Sequence, residues 1–228
     1  MINTILWDMD ATLLDFQAAE KVAIRTLFKK FGLGECSDEM LLNYSQINRK
    51  YWERLERGEM TKPEILVGRF IEFFESEGLD VSVAHQFNEA YQLSLGDTIV
   101  YCDDSLNIVR SLKGKVKQYI VSNGTVVAQT KKLRLSGFGE LMDGVFLSED
   151  LGVEKPNVCF FDKVFESIGE IDKTKVIIVG DSLTSDIRGG NNAGILTCWY
   201  NPGRKEAPCE YQIDYEIADL HEIYAIIE

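Results

Sequence analysis

A chain of 228 residues can bury a full hydrophobic core, and 45% apolar with 27% charged residues is the composition of an ordinary globular protein. Its formal charge of −13, from 37 acidic against 24 basic side chains, disfavours a polymeric nucleic-acid partner, which needs a basic surface. Five scattered cysteines (Cys36, Cys102, Cys159, Cys198 and Cys209) with no C-x-x-C pair fit neither a disulfide framework nor a zinc site and suit a reducing compartment. No basic leader precedes Asp8, and no run reaches the roughly 18 apolar residues of a membrane span, so the sequence predicts a cytoplasmic protein with no membrane partner.

The chain is organised around its first stretch, Thr4-Ile5-Leu6-Trp7-Asp8-Met9-Asp10-Ala11-Thr12-Leu13, which reads as a short buried strand ending in two aspartates. Open α/β sheets place ligands at the carboxyl ends of their strands. Two carboxylates crowded there repel unless a cation or a shared proton relieves them, an arrangement suited to a hard metal ion and phosphate chemistry.

Helical periodicity follows from Ala18 to Phe31, stopping at Gly32 and Gly34. A second helix, capped at Ser37 or Asp38, ends near Gly58. Thr61 and Glu64 form a capping box with Pro63 in the first turn, opening a third helix that runs to Gly78. A fourth covers about Val81 to Leu95. Four consecutive helices interrupt an α/β chain, so residues 16–95 are expected to form a helical insertion and residues 1–15 with 96–228 the α/β core.

From Asp103 the alternation resumes: helix 103–113, strand Val116–Val121, helix 125–136, a short apolar stretch Gly144–Leu147 and helix 157–168. Strand Lys175–Gly180, helix 183–192, strand Ile195–Tyr200, a short strand near Tyr211–Ile213 and helix 219–227 complete it. Strands alternating with helices predict a Rossmann-like parallel sheet covered on both faces.

Three further strand ends carry chemistry. Ser122-Asn123-Gly124-Thr125 offers a hydroxyl and backbone N–H groups at a helix start that can hold a phosphate. Gly152-Val153-Glu154-Lys155-Pro156 can aim a fixed cation at an anion, against the plainer reading of a solvated lysine. Val176 to Gly180 leads into Asp181-Ser182-Leu183-Thr184-Ser185-Asp186, and Asp181 at the strand tip can meet Asp8 and Asp10 in an oxygen-rich Mg²⁺ site. His85 and His221 lie inside predicted helices, and Ser182 lacks a Gly-x-Ser-x-Gly elbow, so no serine–histidine–acid reading stands. The glycines at 189–194 fall late in a helix and form no dinucleotide fingerprint. An aspartate remains as the candidate nucleophile.

These stretches, in this order, resemble the haloacid-dehalogenase-like hydrolase superfamily. Asp8-Met9-Asp10-Ala11-Thr12-Leu13 is similar to its first motif, Ser122 to its second, Lys155 to its third, and Gly180-Asp181-Ser182 through Asp186 to its fourth. Ala11 departs from the Asp or Gly usual at that place. The resemblance implies a HAD-like core with an inserted cap and a Mg²⁺-dependent attack of Asp8 on a small phosphomonoester. By the same resemblance Asp10 acts as acid and then base, Ser122 and Lys155 hold the phosphoryl oxygens with Asn123 and Gly124 beside them, and Asp8, Asp181 and Asp186 hold the metal with the backbone carbonyl of Asp10. Asp186 is a direct ligand or a support behind one. The presence of Asp10 argues for a phosphatase and against a true dehalogenase. The segments Glu149–Pro156, Gly180–Asp186, Asn191–Pro202 and Trp52–Glu59 further resemble the YjjG-type pyrimidine 5′-nucleotidase branch, implying nucleoside 5′-monophosphates, canonical or not, as substrates. In that family the cap covers the site and sets specificity; Phe16, Arg57 and Gly58 are the candidate contacts to the leaving group, while Tyr44 and Trp52 read as cap core rather than base-stacking residues. A phosphatase for phosphoglycolate or a sugar phosphate, a phosphomutase, and a catalytically idle binding protein are the alternatives. Oligomeric state is not legible in the chain.

Overall fold

The computed structural model describes residues 1–169 and 172–227. It divides into two compact units, one comprising Met1–Phe16 with Ile99–Glu228 and the other Gln17–Thr98. No helix among the described residues is long and apolar enough to cross a membrane.

The discontinuous unit is built on β1 (Thr4–Trp7), whose four residues are all buried. The helical segment α1 (Phe16–Phe31), α2 (Asp38–Glu56), α3 (Lys62–Ser76) and α4 (Ala84–Ser94) follows in sequence. The α/β alternation then runs α5 (Ser105–Leu112), β2 (Lys117–Ser122), α6 (Val126–Ser136), β3 (Gly144–Leu147), α7 (Ser148–Leu151), α8 (Val158–Ile168) and β4 (Val176–Gly180). It closes with α9 (Arg188–Ala193), β5 (Leu196–Tyr200), β6 (Tyr215–Ile217) and α10 (Ile223–Ile227). The strands form one parallel sheet in the order β3-β2-β1-β4-β5-β6. The chain moves outward from β1 through β2 to β3, then returns to the other side for β4, β5 and β6. A topological switch point therefore lies at β1, where diverging connections leave a crevice above the strand tips.

Two apolar clusters cover the sheet's faces. Ile5, Trp7, Ile120, Ile177, Val179 and Cys198 belong to one, while Leu6, Val121, Ile178 and the α8 residues Phe160, Phe161 and Val164 belong to the other. The alternation of Ile5 and Trp7 with Leu6 is the period-2 signature of a strand buried on both faces.

The helical unit folds around its own aromatic core. Ser37 caps α2 by accepting from the Met40 N–H, and Thr61 with Glu64 forms the capping box of α3. Phe28, Tyr44, Phe70, Phe73, Phe74, Phe87 and Tyr91 are wholly buried, with Tyr44 stacked on Phe70 at a centroid separation of 5.0 Å. Tyr44 is thus core and has no face for a ligand; Trp52 is half-buried beside the Arg69 guanidinium.

Three local expectations are corrected. The first strand stops at Trp7, before the two aspartates expected to end it: the N–H groups of Leu13 and Leu14 both return to the Met9 carbonyl, and Ala11 sits at φ 64° in a tight turn. The helix expected over 183–192 opens as a π-helical turn, Leu183–Ile187, before α9 begins. The strand expected near Tyr211–Ile213 forms instead at Tyr215–Ile217. Side chains occupy the earlier segment: Asn191 Nδ2 and Thr197 Oγ1 both donate to the Gln212 carbonyl, and the Gln212 N–H donates to Asn191 Oδ1.

Gly190 is where α9 meets the sheet. A Cβ there would lie 2.6 Å from Thr197 Cγ2 and 2.7 Å from Ile178 Cγ2. Gly→Ala within a helix ordinarily stabilises by about 1 kcal/mol, but overpacking against a β-sheet costs roughly 1–3 kcal/mol. Gly190→Ala is therefore expected to destabilise the protein, read as a lower urea midpoint with an unchanged slope.

Candidate active site

The register of the sheet sets the site. Trp7 lies opposite Ile120 on β2 and Val179 on β4, so the next residue, Asp8, emerges between the ends of both neighbours. Its N–H still donates to the Val179 carbonyl at 2.9 Å, which fixes its backbone as a last rung of the sheet. Asp8 is buried, and its Oδ1 accepts from Lys155 Nζ at 2.8 Å.

Lys155 is no solvated surface residue; it is 1% exposed. Its ammonium donates to Asp8 Oδ1 at 2.8 Å, Asp186 Oδ1 at 2.6 Å and the Val121 carbonyl at 2.8 Å, using all three N–H groups. Burial pulls its pKa down, but Asp186 and Asp8 more than offset that pull, so it is raised and the ammonium stays charged. Burial pushes the Asp8 carboxyl up to about 7, against the pull of Lys155 and with Asp186 and Asp10 adding to the rise. Asn123 anchors the lysine: its Oδ1 accepts from the Lys155 N–H at 2.9 Å and its Nδ2 donates to the Lys155 carbonyl at 2.8 Å.

Asp181 follows Gly180 at the tip of β4. The Asp181 N–H donates to Thr12 Oγ1 at 3.1 Å, and the Trp199 indole N–H donates to the Asp181 carbonyl at 2.9 Å. Gly180 permits the turn that follows, since a Cβ there would collide with the Asp186 carboxylate. The π-helical turn returns Asp186 toward the strand tip, where Ser182 N–H donates to its Oδ2 at 3.1 Å. One carboxylate oxygen each from Asp8, Asp181 and Asp186 lies within 4.8 Å of the others. An all-oxygen, partly buried carboxylate set of this kind fits a hard divalent cation and suits no soft metal.

Asp10 stands apart from that carboxylate set. Its Oδ2 accepts from Gln129 Nε2 at 2.6 Å and its Oδ1 from Lys132 Nζ at 2.5 Å, both from α6. Its side chain is accordingly placed to work beside the cluster, and only its backbone is left as a candidate ligand. Ser122 ends β2 with its Oγ accepting from the Gly124 N–H at 3.0 Å. That N–H is directed at the hydroxyl and the Asn123 side chain at Lys155, so of these turn residues Ser122 keeps a hydroxyl proton to donate. Phe16 lies at the start of α1 with its ring 5.3 Å from Lys132 Nζ. Arg57 and Gly58 belong to the helical unit, where Arg57 pairs with Glu59 at 2.6 Å and Glu53 at 3.7 Å and Gly58 takes φ 72°.

The sequence reading singled out Asp8, Asp10, Lys155, Asp181 and Asp186 but missed Gln129, Lys132 and Trp199, which act on Asp10 and Asp181 from distant segments. Gln129 and Lys132, three apart on a helix face, carry no motif of their own.

The family model for haloacid dehalogenase-like hydrolases matches residues 5–200. The chain belongs to this family of hydrolases. YfnB of Bacillus subtilis (strain 168) is 37% identical over 99% of this chain and 95% of its own length. A pyrimidine 5′-nucleotidase, PynA of Streptococcus pneumoniae (strain ATCC BAA-255 / R6), is 35% identical over 96% of this chain and 92% of its own. Another, YjjG of Escherichia coli (strain K12), is 28% identical over 98% and 96%. A crystal structure of YfnB bound to magnesium superposes with a TM-score of 0.93 at 36% identity, covering 100% of this chain and 99% of that one.

The raised Asp8 carboxyl has a stability consequence. A carboxyl whose folded pKa is about 7 against an ordinary 3.8 favours the folded state below 3.8, and that favour is lost as pH rises through 7. Asp8→Asn does not titrate, and it leaves Lys155 paired with Asp186. In EDTA, thermal unfolding is expected to show Asp8→Asn gaining on the wild type between about pH 4 and pH 7 and levelling off above. A difference that stays constant over that range would contradict the burial of Asp8 as described.

Proposed function

We propose that this chain is a Mg²⁺-dependent phosphomonoester hydrolase that forms an aspartyl-phosphate on Asp8 and acts on nucleoside 5′-monophosphates. The observation that carries the reading is the arrangement at the switch point: a buried nucleophile candidate, a buried ammonium bonded to it, and an all-carboxylate cluster sharing the same atom neighbourhood. The nucleotide assignment is supported by the named activities of PynA and YjjG, and the metal assignment by the magnesium in the YfnB structure.

In this reading Asp8 Oδ2 attacks phosphorus while Lys155 holds Oδ1, so the attacking oxygen is oriented before substrate arrives. The P–O bond to the leaving group breaks, and Asp10 gives its proton to the departing alkoxide oxygen. Asp10, now a carboxylate, takes a proton from water as the water oxygen attacks the aspartyl-phosphate, releasing phosphate and restoring Asp8. The Ser122 hydroxyl holds a transferring oxygen, while the charge of the Lys155 ammonium, its three N–H groups already engaged, offsets the negative charge of the phosphoryl group. Mg²⁺ held by Asp8, Asp181 and Asp186 would supply charge neutralisation for the phosphoryl group. Phe16, Arg57 and Gly58 are proposed to select the leaving group.

Phosphate release from a panel of nucleoside monophosphates, sugar phosphates and phosphoglycolate tests both levels. The expected result is a preference for pyrimidine monophosphates, abolished by EDTA, and a loss of at least about 10³-fold in kcat for Asp8→Asn. Preference for a sugar phosphate or phosphoglycolate would keep the chemistry and remove the nucleotide assignment. Full activity of Asp8→Asn would remove the mechanism.

A further inference from the structure

We propose that Gln129 and Lys132 are positioning residues that clamp Asp10 in the orientation its proton transfers require. This rests on the reading of Asp10 as acid and base given above.

The clamp is two-handed. Each oxygen of the Asp10 carboxylate is held by a different donor, Oδ2 by Gln129 Nε2 at 2.6 Å and Oδ1 by Lys132 Nζ at 2.5 Å. The donors sit three apart on α6 and so share one face of that helix. Both are buried, while the Asp10 side chain keeps 24% of its surface exposed, so the carboxylate is fixed from behind with an edge open. Two donors on two oxygens fix the rotation of the carboxylate plane as well as its place, which a single bond does not do.

The surroundings are shaped for this arrangement. A Cβ on Gly124 would collide with the Gln129 amide, so the glycine of the Ser122-Asn123-Gly124 turn makes room for the donor that reaches Asp10. Lys132 has the Phe16 ring against its ammonium at 5.3 Å, which favours the cation over the ring face. Gln129 Oε1 is buried with no hydrogen-bond partner among the described residues. Burying an ammonium and leaving an amide oxygen unpaired both cost stability. Apolar residues on this face of α6 would avoid both costs, yet would leave Asp10 free to rotate. A displacement of about 1 Å in a reacting group costs on the order of 10²-fold in rate.

The test uses leaving-group chemistry. A nucleoside monophosphate releases an alkoxide that needs a proton; p-nitrophenyl phosphate releases a phenolate that does not. In Lys132→Met, kcat on the preferred nucleotide is expected to fall by roughly 10–10²-fold with KM within about threefold, part of the 10²–10⁴ attributable to acid–base catalysis. With p-nitrophenyl phosphate, phosphorylation of Asp8 stays fast while its hydrolysis slows. A stopped-flow burst of about one nitrophenolate per enzyme is therefore expected, exceeding that of the wild type. Gln129→Leu, which leaves the charge balance unchanged, should give the same pattern more weakly, and it decides the matter if Lys132→Met does not fold. A folded variant with equal losses on both substrates and no added burst, or with no loss at all, overturns the proposal. Asp8→Asn run alongside separates the levels: if it abolishes turnover while the α6 variants show no burst, only the clamp fails; if it stays active, the aspartyl-phosphate reading fails with it.

Discussion

The structure depends on one buried ammonium. Lys155 joins Asp8 just past β1, Asp186 beyond β4 and the Val121 carbonyl on β2, so one cation ties together the three central strands at the end where they diverge. Taking such a group out of water costs several kcal/mol, and only complete satisfaction of its donors by charged and polar acceptors offsets this. The pairing also leaves an imbalance. Two carboxylates face one ammonium, and Asp181 stands close by, so the cluster carries excess negative charge that favours a bound cation or a retained proton. Burial is the main cause of the rise of the Asp8 carboxyl, and the negative charges of Asp186 and Asp10 add to it.

What the sequence made legible follows from that economy. Strand tips in parallel sheets have few jobs, so an aspartate after Thr4–Trp7 and a Gly-Asp after Val176–Val179 stand out against apolar runs, and the fold and the order of the site segments could be read. The side chains that orient the site were not legible, because their signal is tertiary. On α6 the apolar periodicity misleads: Val127 and Leu135 are half-exposed, while the buried face carries Ala128, Gln129, Lys132 and Ser136. A hydrophobic pattern reads helices by where oil is buried, and this helix buries polar groups against a carboxylate. The misplaced strand near residue 212 has a similar origin, since Asn191 and Thr197 satisfy its backbone groups from the side. Local propensity does not see a partner fifteen or more residues away.

Glycine takes part in the site chiefly by what it leaves out. Gly180 and Gly124 lie at the two strand-to-helix turns flanking β1, and in each a side chain would strike the group that the turn delivers: the Asp186 carboxylate in one, the Gln129 amide in the other. Neither residue has a positive φ, so steric room rather than backbone freedom explains them. Both turns therefore work the same way. A strand ends, a missing Cβ opens a gap, and a polar side chain from the next helix folds back through it toward β1. Ala11 is the opposite case, with a side chain carried at φ 64° in the left-handed region. L residues other than glycine pay a steric cost there, which an alanine keeps small.

The proposed reading asks an acidic protein to receive a phosphate dianion, and the two buried lysines answer that electrostatic contradiction. Surface charges that make up the net −13 are screened by salt over about 8 Å. Lys155 and Lys132 act inside that distance and from within a low-dielectric wall, where screening is weak. Each is matched to a carboxylate of the first motif, Lys155 to Asp8 and Lys132 to Asp10, so both aspartates are already partly neutralised where an anion must approach. The division of labour is physical. Lys155 has a second carboxylate and a carbonyl to hold, making it a junction of strands. Lys132 has one carboxylate and an aromatic face, so its favourable electrostatics are directed at the orientation of a single side chain.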